Sequence, residues 1–271
     1  MMTTLEVLTA LPNESATRRP WPLLLIHGAW HGAWCWADNF LPYFADRGYA
    51  SYALSLRGHG KSPGNARFAT TGQYLSDIRH VAQNIAAQHG GQHPVLIGHS
   101  MGGYLTQRYL QTYDEAPAAV LLGSIPHFGS LPFFLRYLRM HPLSFFRVFL
   151  TFSPYHMVAS PERARALFFS PDYPEENLQA LHPLLCNESL LVSLESASVG
   201  IPRPGRIRAK HTPLLVIGGG KDAIFPAHEV QATARAYGVE ARIYPDMAHN
   251  LMAERGWEGV AGDIGGWLGN C

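Results

Sequence analysis

Residues 98–102 read Gly-His-Ser-Met-Gly and follow directly on a short apolar run. A serine held at a sharp turn between a buried strand and a helix sits on strained backbone, with its hydroxyl above the sheet edge. Glycines on either side suit that geometry, because side chains there would strike the neighbouring strand and helix. A helix starting after Ser100 also aims its first amides, and the positive end of its dipole, at the site. Serine is a poor nucleophile at neutral pH. It needs a base, and the base needs a group to orient it. Fourteen histidines are present, so position must choose among them. His249, in "YPDMAHNLM", follows the last run that reads as a strand. Asp222, in "VIGGGKDAIFP", follows the run before it. The order Ser100, Asp222, His249 is that of a Ser–acid–His triad at the carboxyl end of a parallel sheet. Other uses stay open: Asp222 also suits a cap for a short helix near Pro226, and His249 an ordinary loop position. The other loop that could supply an acid, "GSIPHFG", has no carboxylate.

Attack on a carbonyl also needs donors for the developing oxyanion. One is the N–H of Met101, next after the serine. The other is expected from "LLLIHGAWHGAWCW", a strand ending in a loop, where Ala29 is the candidate. Gly28 lets that backbone approach closely. His27 reads as an orienting residue of the turn, and His31 and His59 as structural or pocket-rim. Trp34 and Trp36 read as packing residues, while Trp30 is placed to reach a pocket.

These residues need a scaffold, and the chain supplies one. Apolar runs at 23–26, 95–97, 119–122 and 214–217 read as buried parallel strands, with 50–56 and 241–244 as two more. Segments 71–88, 101–113 and 226–237 carry helical spacing, the first ended by Gly90-Gly91. Strand alternating with helix predicts an α/β fold: a mostly parallel sheet with helices on both faces. Residues 125–209 break the rhythm, with no clear strand and nine of the 13 phenylalanines. They read as a helical cap inserted into a core of residues 1–124 and 210–271. The cap aromatics either pack its own interior or line an apolar substrate pocket. Phe133, Phe134, Phe145 and Phe146 are the candidates for the second role, with Trp30.

Composition excludes several classes. The chain has 271 residues, 47% apolar, with a formal net charge of +1. That suits one large α/β domain and gives no electrostatic case for nucleic acid or an anionic surface. Cys35, Cys186 and Cys271 are odd in number and widely spaced, which argues against a disulfide framework or a cysteine zinc site. There is no clustered metal-ligand motif and no phosphate loop, so no cofactor is expected. No signal peptide or bilayer-spanning run is legible, so a cytoplasmic protein without stable membrane insertion is expected.

Taken together, "IHGAWHGAW", "LRGHGKS", "GHSMGG", "GGGKDAIFP" and "MAHNLM" resemble the α/β-hydrolase superfamily of serine hydrolases over residues 22–268. The resemblance implies nucleophile Ser100, base His249, acid Asp222, oxyanion amides at Ala29 and Met101, and a site between sheet and cap. The opening loop looks like the plant methylesterase and hydroxynitrile lyase group. The serine turn looks more like bacterial esterases, lysophospholipases and monoacylglycerol lipases. Gly28 and Asn250 stand where the lyases carry Thr and Lys, which argues against a lyase. Ser100 argues against relatives that use an Asp nucleophile. There are two departures: Ser55 stands where many relatives have Asp, and the N-terminal strands look abbreviated. The expected activity is cofactor-free hydrolysis of a small-molecule ester with a hydrophobic acyl group. A thioesterase, lactonase, C–C hydrolase, cofactor-free peroxidase or signal-binding protein would carry the same residues.

Overall fold

The apolar runs alternate between two cores. Leu24, Ile26, Leu96, Leu121 and Val216 pack on one face of the sheet, and Leu23, Leu25, Ile97, Val120 and Ile217 on the other. A strand buried on both faces must be apolar throughout, which is why these segments read as runs and not as alternation. The computed structural model describes residues 4–14 and 16–271. Among the described residues, seven strands form one sheet: β1 (Val7–Ala10), β2 (Leu23–Ile26), β3 (Ser51–Leu54), β4 (Val95–His99), β5 (Ala119–Leu122), β6 (Leu214–Gly219) and β7 (Ala241–Tyr244). Their order is β1-β3-β2-β4-β5-β6-β7, and all pairs are parallel except β1 with β3.

Helices α1 (Phe40–Asp46), α2 (Thr71–Gln88) and α3 (Met101–Thr112) join the early strands. A capping box starts α2, with Thr70 and Gln73 satisfying each other's backbone amides. Between β5 and β6 come α4 (Leu131–Met140), α5 (Pro142–Thr151), α6 (Pro161–Phe168), α7 (Glu175–Leu181), α8 (Leu190–Ala197) and α9 (Pro204–Arg208). Helices α10 (Ala227–Tyr237) and α11 (Trp257–Leu268) complete the chain. The insertion between β5 and β6 has no core of its own: Phe133, Tyr137, Val148 and Phe168 pack continuously with Tyr74, Met101 and Leu121.

Strand β1 is the one described strand ahead of β2, and the apolar pattern did not announce it. It is short and half-exposed, and pairs along one edge only, so its apolar signal is weak. It also explains Ser55. The Ser55 hydroxyl accepts from the Ala33 amide at 2.8 Å and donates to Glu6 Oε2 at 2.6 Å. Glu6 Oε2 also accepts the Lys61 amide at 2.9 Å. Glu6, on the segment leading into β1, thus sets a carboxylate against the strand end at Ser55. A double-mutant cycle checks this. Glu6→Ala is expected to lower the unfolding free energy in urea by about 1–3 kcal/mol. Ser55→Asp is expected to destabilise the wild type, by setting two carboxylates together, and to restore stability in Glu6→Ala.

Candidate active site

Ser100 joins β4 to α3 in a left-handed conformation, φ 53° and ψ −115°. Its amide donates to Leu122 O at 3.0 Å, and its carbonyl accepts from the amides of Tyr104 and Ile125. A Cβ at Gly98 would collide with Gly102 O and Thr106 Oγ1 of α3, and one at Gly102 with the carbonyls of Ile26 and His27. Both glycines are therefore required by close packing of α3 on β4 and β2.

Two later strand ends bring in the partners. Asp222 follows β6, and its Oδ1 accepts the amides of Ile224 and Phe225 at 2.8 and 2.9 Å. Its Oδ2 meets His249 Nδ1 at 2.7 Å, with both side chains almost fully buried. Asp222 therefore orders the turn before α10 and holds an imidazole as well. With Nδ1–H donating to the carboxylate, the lone pair of His249 lies on Nε2. The His249 ring packs 5.7 Å from that of Phe225, which borders the cavity at Ser100.

Three neutral imidazoles shape the floor. His99 Nε2 donates to His249 O at 3.0 Å. Burial, then the neighbouring His249 and His31, lower its pKa well below the ordinary value. His27 donates from Nδ1 to Gly28 O and accepts the Leu56 amide at Nε2; burial, then His59, lower its pKa likewise. His31 donates from Nδ1 to Ala29 O and accepts from Asn250 Nδ2 at 3.0 Å. Asn250 thereby ties the His249 loop to the Ala29 loop. Burial brings His31 down to about 4, against the pull of the Ala29 carbonyl.

His59 is the opposite case. Both its nitrogens face acceptors, Arg57 O at 3.2 Å and Glu188 Oε2 at 3.0 Å. Burial opposes the charge, but Glu188 and the backbone outweigh it, and the pKa is raised. Glu188 comes from the insertion. It also accepts from Tyr74 OH at 3.0 Å, from the Ser189 amide, and from the amide of Trp30 at 3.3 Å. Trp30 is itself left-handed, at φ 64°. One buried carboxylate thus braces the loop that carries Ala29.

Ala29, Trp30, Ser100, Met101, Phe133, Phe134 and Phe225 border a cavity of about 50 Å³. That is room for a few waters. Among the described residues, the amides of Ala29 and Met101 donate to no protein acceptor. Phe134, Met157 and Ser193 divide this cavity from a second, apolar one of about 130 Å³. Phe145 borders only the second. Phe146 borders neither and is 58% exposed, because it lies on the outer face of α5. Wider grooves of about 500 Å³ elsewhere, such as that beside Arg57 and Asp77, hold none of these residues. Sequence reasoning missed Phe168, whose ring packs on His31, Trp30 and His249. It also missed Glu188 and His99. The Phe168-Phe169 pair was a visible signal for the first; the "GHS" turn places His99 but says nothing of its contact.

Two expectations follow. Glu188→Ala removes the shared buried acceptor of His59, Tyr74 and the amides of Trp30 and Ser189 and should cost about 3 kcal/mol in urea unfolding at pH 7, with Glu188→Gln costing less. Acid should destabilise the fold as the buried imidazoles are forced to take up protons. His31 is lowered from 6.5 to about 4, so the unfolded chain binds more protons across that window and stability falls as pH falls through it. His31 alone contributes on the order of 3 kcal/mol, and His27 and His99 act in the same direction. The raised pKa of His59 has the opposite sign: its contribution is full below about 6.5 and is lost as pH rises through the folded value. Urea midpoints at pH 7, 6 and 5 check the net fall; a flat profile would overturn it.

Comparison with known proteins agrees with this architecture. Residues 23–263 match the model of the alpha/beta hydrolase family. The chain is 26% identical to a monoacylglycerol lipase of Mycolicibacterium smegmatis over 248 residues, 83% of this chain and 80% of that one. It is 31% identical to esterase PIR7B of Oryza sativa subsp. japonica over 103 residues, 37% of each. A thermophilic esterase from Thermogutta terrifontis superposes with a TM-score of 0.74 at 20% identity, covering 98% of this chain and 93% of that one. The family match runs from the first residue of β2 into α11 and takes in Ser100, Asp222 and His249 on their strand ends, so this chain belongs to the alpha/beta hydrolase family.

Proposed function

We propose that the protein hydrolyses carboxylic esters with an apolar acyl group through Ser100, His249 and Asp222. One observation carries the reading. A serine on a strained turn and two amides without protein acceptors border the same apolar cavity, beside an imidazole anchored at 2.7 Å to a buried carboxylate. Ser100 Oγ bonds to the ester carbonyl carbon while its proton passes to His249 Nε2. Asp222 keeps the other nitrogen protonated and stabilises the imidazolium. The oxyanion accepts from the Ala29 and Met101 amides, the second being the first amide of α3. Collapse breaks the ester C–O bond, and the alcohol leaves with the proton from His249. Water then bonds to the acyl carbon, giving a proton to His249, and Ser100 departs with it as the acid is released. Trp30, Phe133 and Phe134 surround the acyl group nearest the serine, and Phe145 lies beyond them. The insertion acts as the cap that excludes water.

The test is hydrolysis of p-nitrophenyl esters from acetyl to palmitoyl by wild type and Ser100→Ala. The wild type should turn over with a chain-length optimum. The variant should lose at least about a thousandfold in kcat while unfolding at the same temperature. Turnover independent of Ser100 would sink the mechanism. Matched thioesters and lactones in the same assay rank the bond cleaved.

A further inference from the structure

Helices α4 and α5 form an exposed crest of the insertion. Their inner faces are ordinary: Phe133, Tyr137, Ser144 and Val148 are buried. Their outer faces are not. Seven large apolar side chains on these two helices are exposed, with Leu143 at 83% and Leu150 at 85%. A surface helix normally turns a polar face outward, and a contiguous apolar patch on a monomer marks an interaction surface. The crest is held firmly to the core: Arg67 donates to the carbonyls of Thr151 and Phe152 at the end of α5.

Charge says what covers it. Residues 131–161 include three arginines and no Asp or Glu. Arg136 is spent on Glu229. Arg139 and Arg147 are exposed and, among the described residues, paired with no carboxylate. A symmetric contact with a second copy would bury those cations against a patch that has no acid to meet them. An anionic bilayer offers both requirements, acyl chains for the leucines and phosphates for the arginines. The crest also leads inward. Leu131, Phe149 and Leu194 border the second cavity while remaining 42–49% exposed, so that cavity opens at the crest. Its inner wall, Phe134 and Met157, is shared with the cavity at Ser100.

We propose that the α4–α5 crest docks the protein on anionic phospholipid surfaces, with Leu143 and Leu150 dipping into the acyl layer and Arg139 and Arg147 on headgroup phosphates. The protein lies on the surface and does not span it. The further consequence, that a single-chain ester passes from the bilayer through the second cavity, rests on the hydrolase reading above; the docking does not.

Co-sedimentation of the full-length protein with vesicles of phosphatidylcholine, with and without phosphatidylglycerol, tests the docking. Wild type and Ser100→Ala should bind the mixed vesicles equally, so this test and that of the triad fail separately. Leu143→Glu/Leu150→Glu should lower the bound fraction at least about tenfold. Arg139→Gln/Arg147→Gln should remove the preference for phosphatidylglycerol, by roughly five- to tenfold or more. Unchanged thermal unfolding would show that both variants are folded. Wild type that stays in the supernatant, or sediments equally after the leucine exchange, would overturn the proposal. So would a dimer in light scattering that the leucine exchange dissolves without any vesicle binding, since the crest would then be a self-interface.

Discussion

The approach of α3 to β2 and β4 beside Ser100 sets the geometry of everything at the carboxyl end of the sheet. Two glycines let helix backbone lie on strand carbonyls, and the chain between them is forced through a left-handed serine. Such a residue is costly and persists only where its surroundings over-determine it. Here the Leu122 carbonyl holds its amide, and the amides of Tyr104 and Ile125 hold its carbonyl. The strain is thereby carried by strand ladder and helix together. As the first amide of a helix, that of Met101 has no intrahelical acceptor and, among the described residues, no other protein acceptor, so it points where negative charge would be favoured.

Around that turn, buried polar groups are sorted by charge. His27, His31 and His99 are each locked as a neutral tautomer by one carbonyl and, for the first two, one donor. They fill the floor with hydrogen-bonding groups without adding charge beside the His249–Asp222 pair. The one imidazole that faces two acceptors, His59, stands with the Glu188 carboxylate. A buried charge is tolerated only with a partner and further hydrogen bonds, and Glu188 has four donors.

The insertion is structurally part of the site. Glu188 braces Trp30, Phe168 roofs His31 and His249, and the Phe168 carbonyl accepts the Asn250 amide at 2.9 Å. The loop carrying Ala29 is therefore held from the insertion on one side and from the His249 loop on the other. Movement of the insertion would be felt directly at the amide expected to receive an oxyanion.

What the sequence determined by itself is what local pattern encodes. Runs apolar at every position announce strands buried on both faces, and helical spacing announces α2 to the residue. Ser100, Asp222 and His249 could be proposed together because each follows a segment that reads as a strand, and parallel strand ends must gather. Tertiary structure alone decided the rest. Glu6 reaches Ser55 across 49 residues and Glu188 reaches Trp30 across 158, and no periodicity encodes a partner at that distance. The phenylalanines show the same limit. Phe133 and Phe146 are alike in composition and context, yet one is buried beside Ser100 and the other exposed. Helices α4 and α5 carry large apolar residues on more faces than their neighbours cover; only the packing of the two helices against the rest of the fold settles which of them are buried.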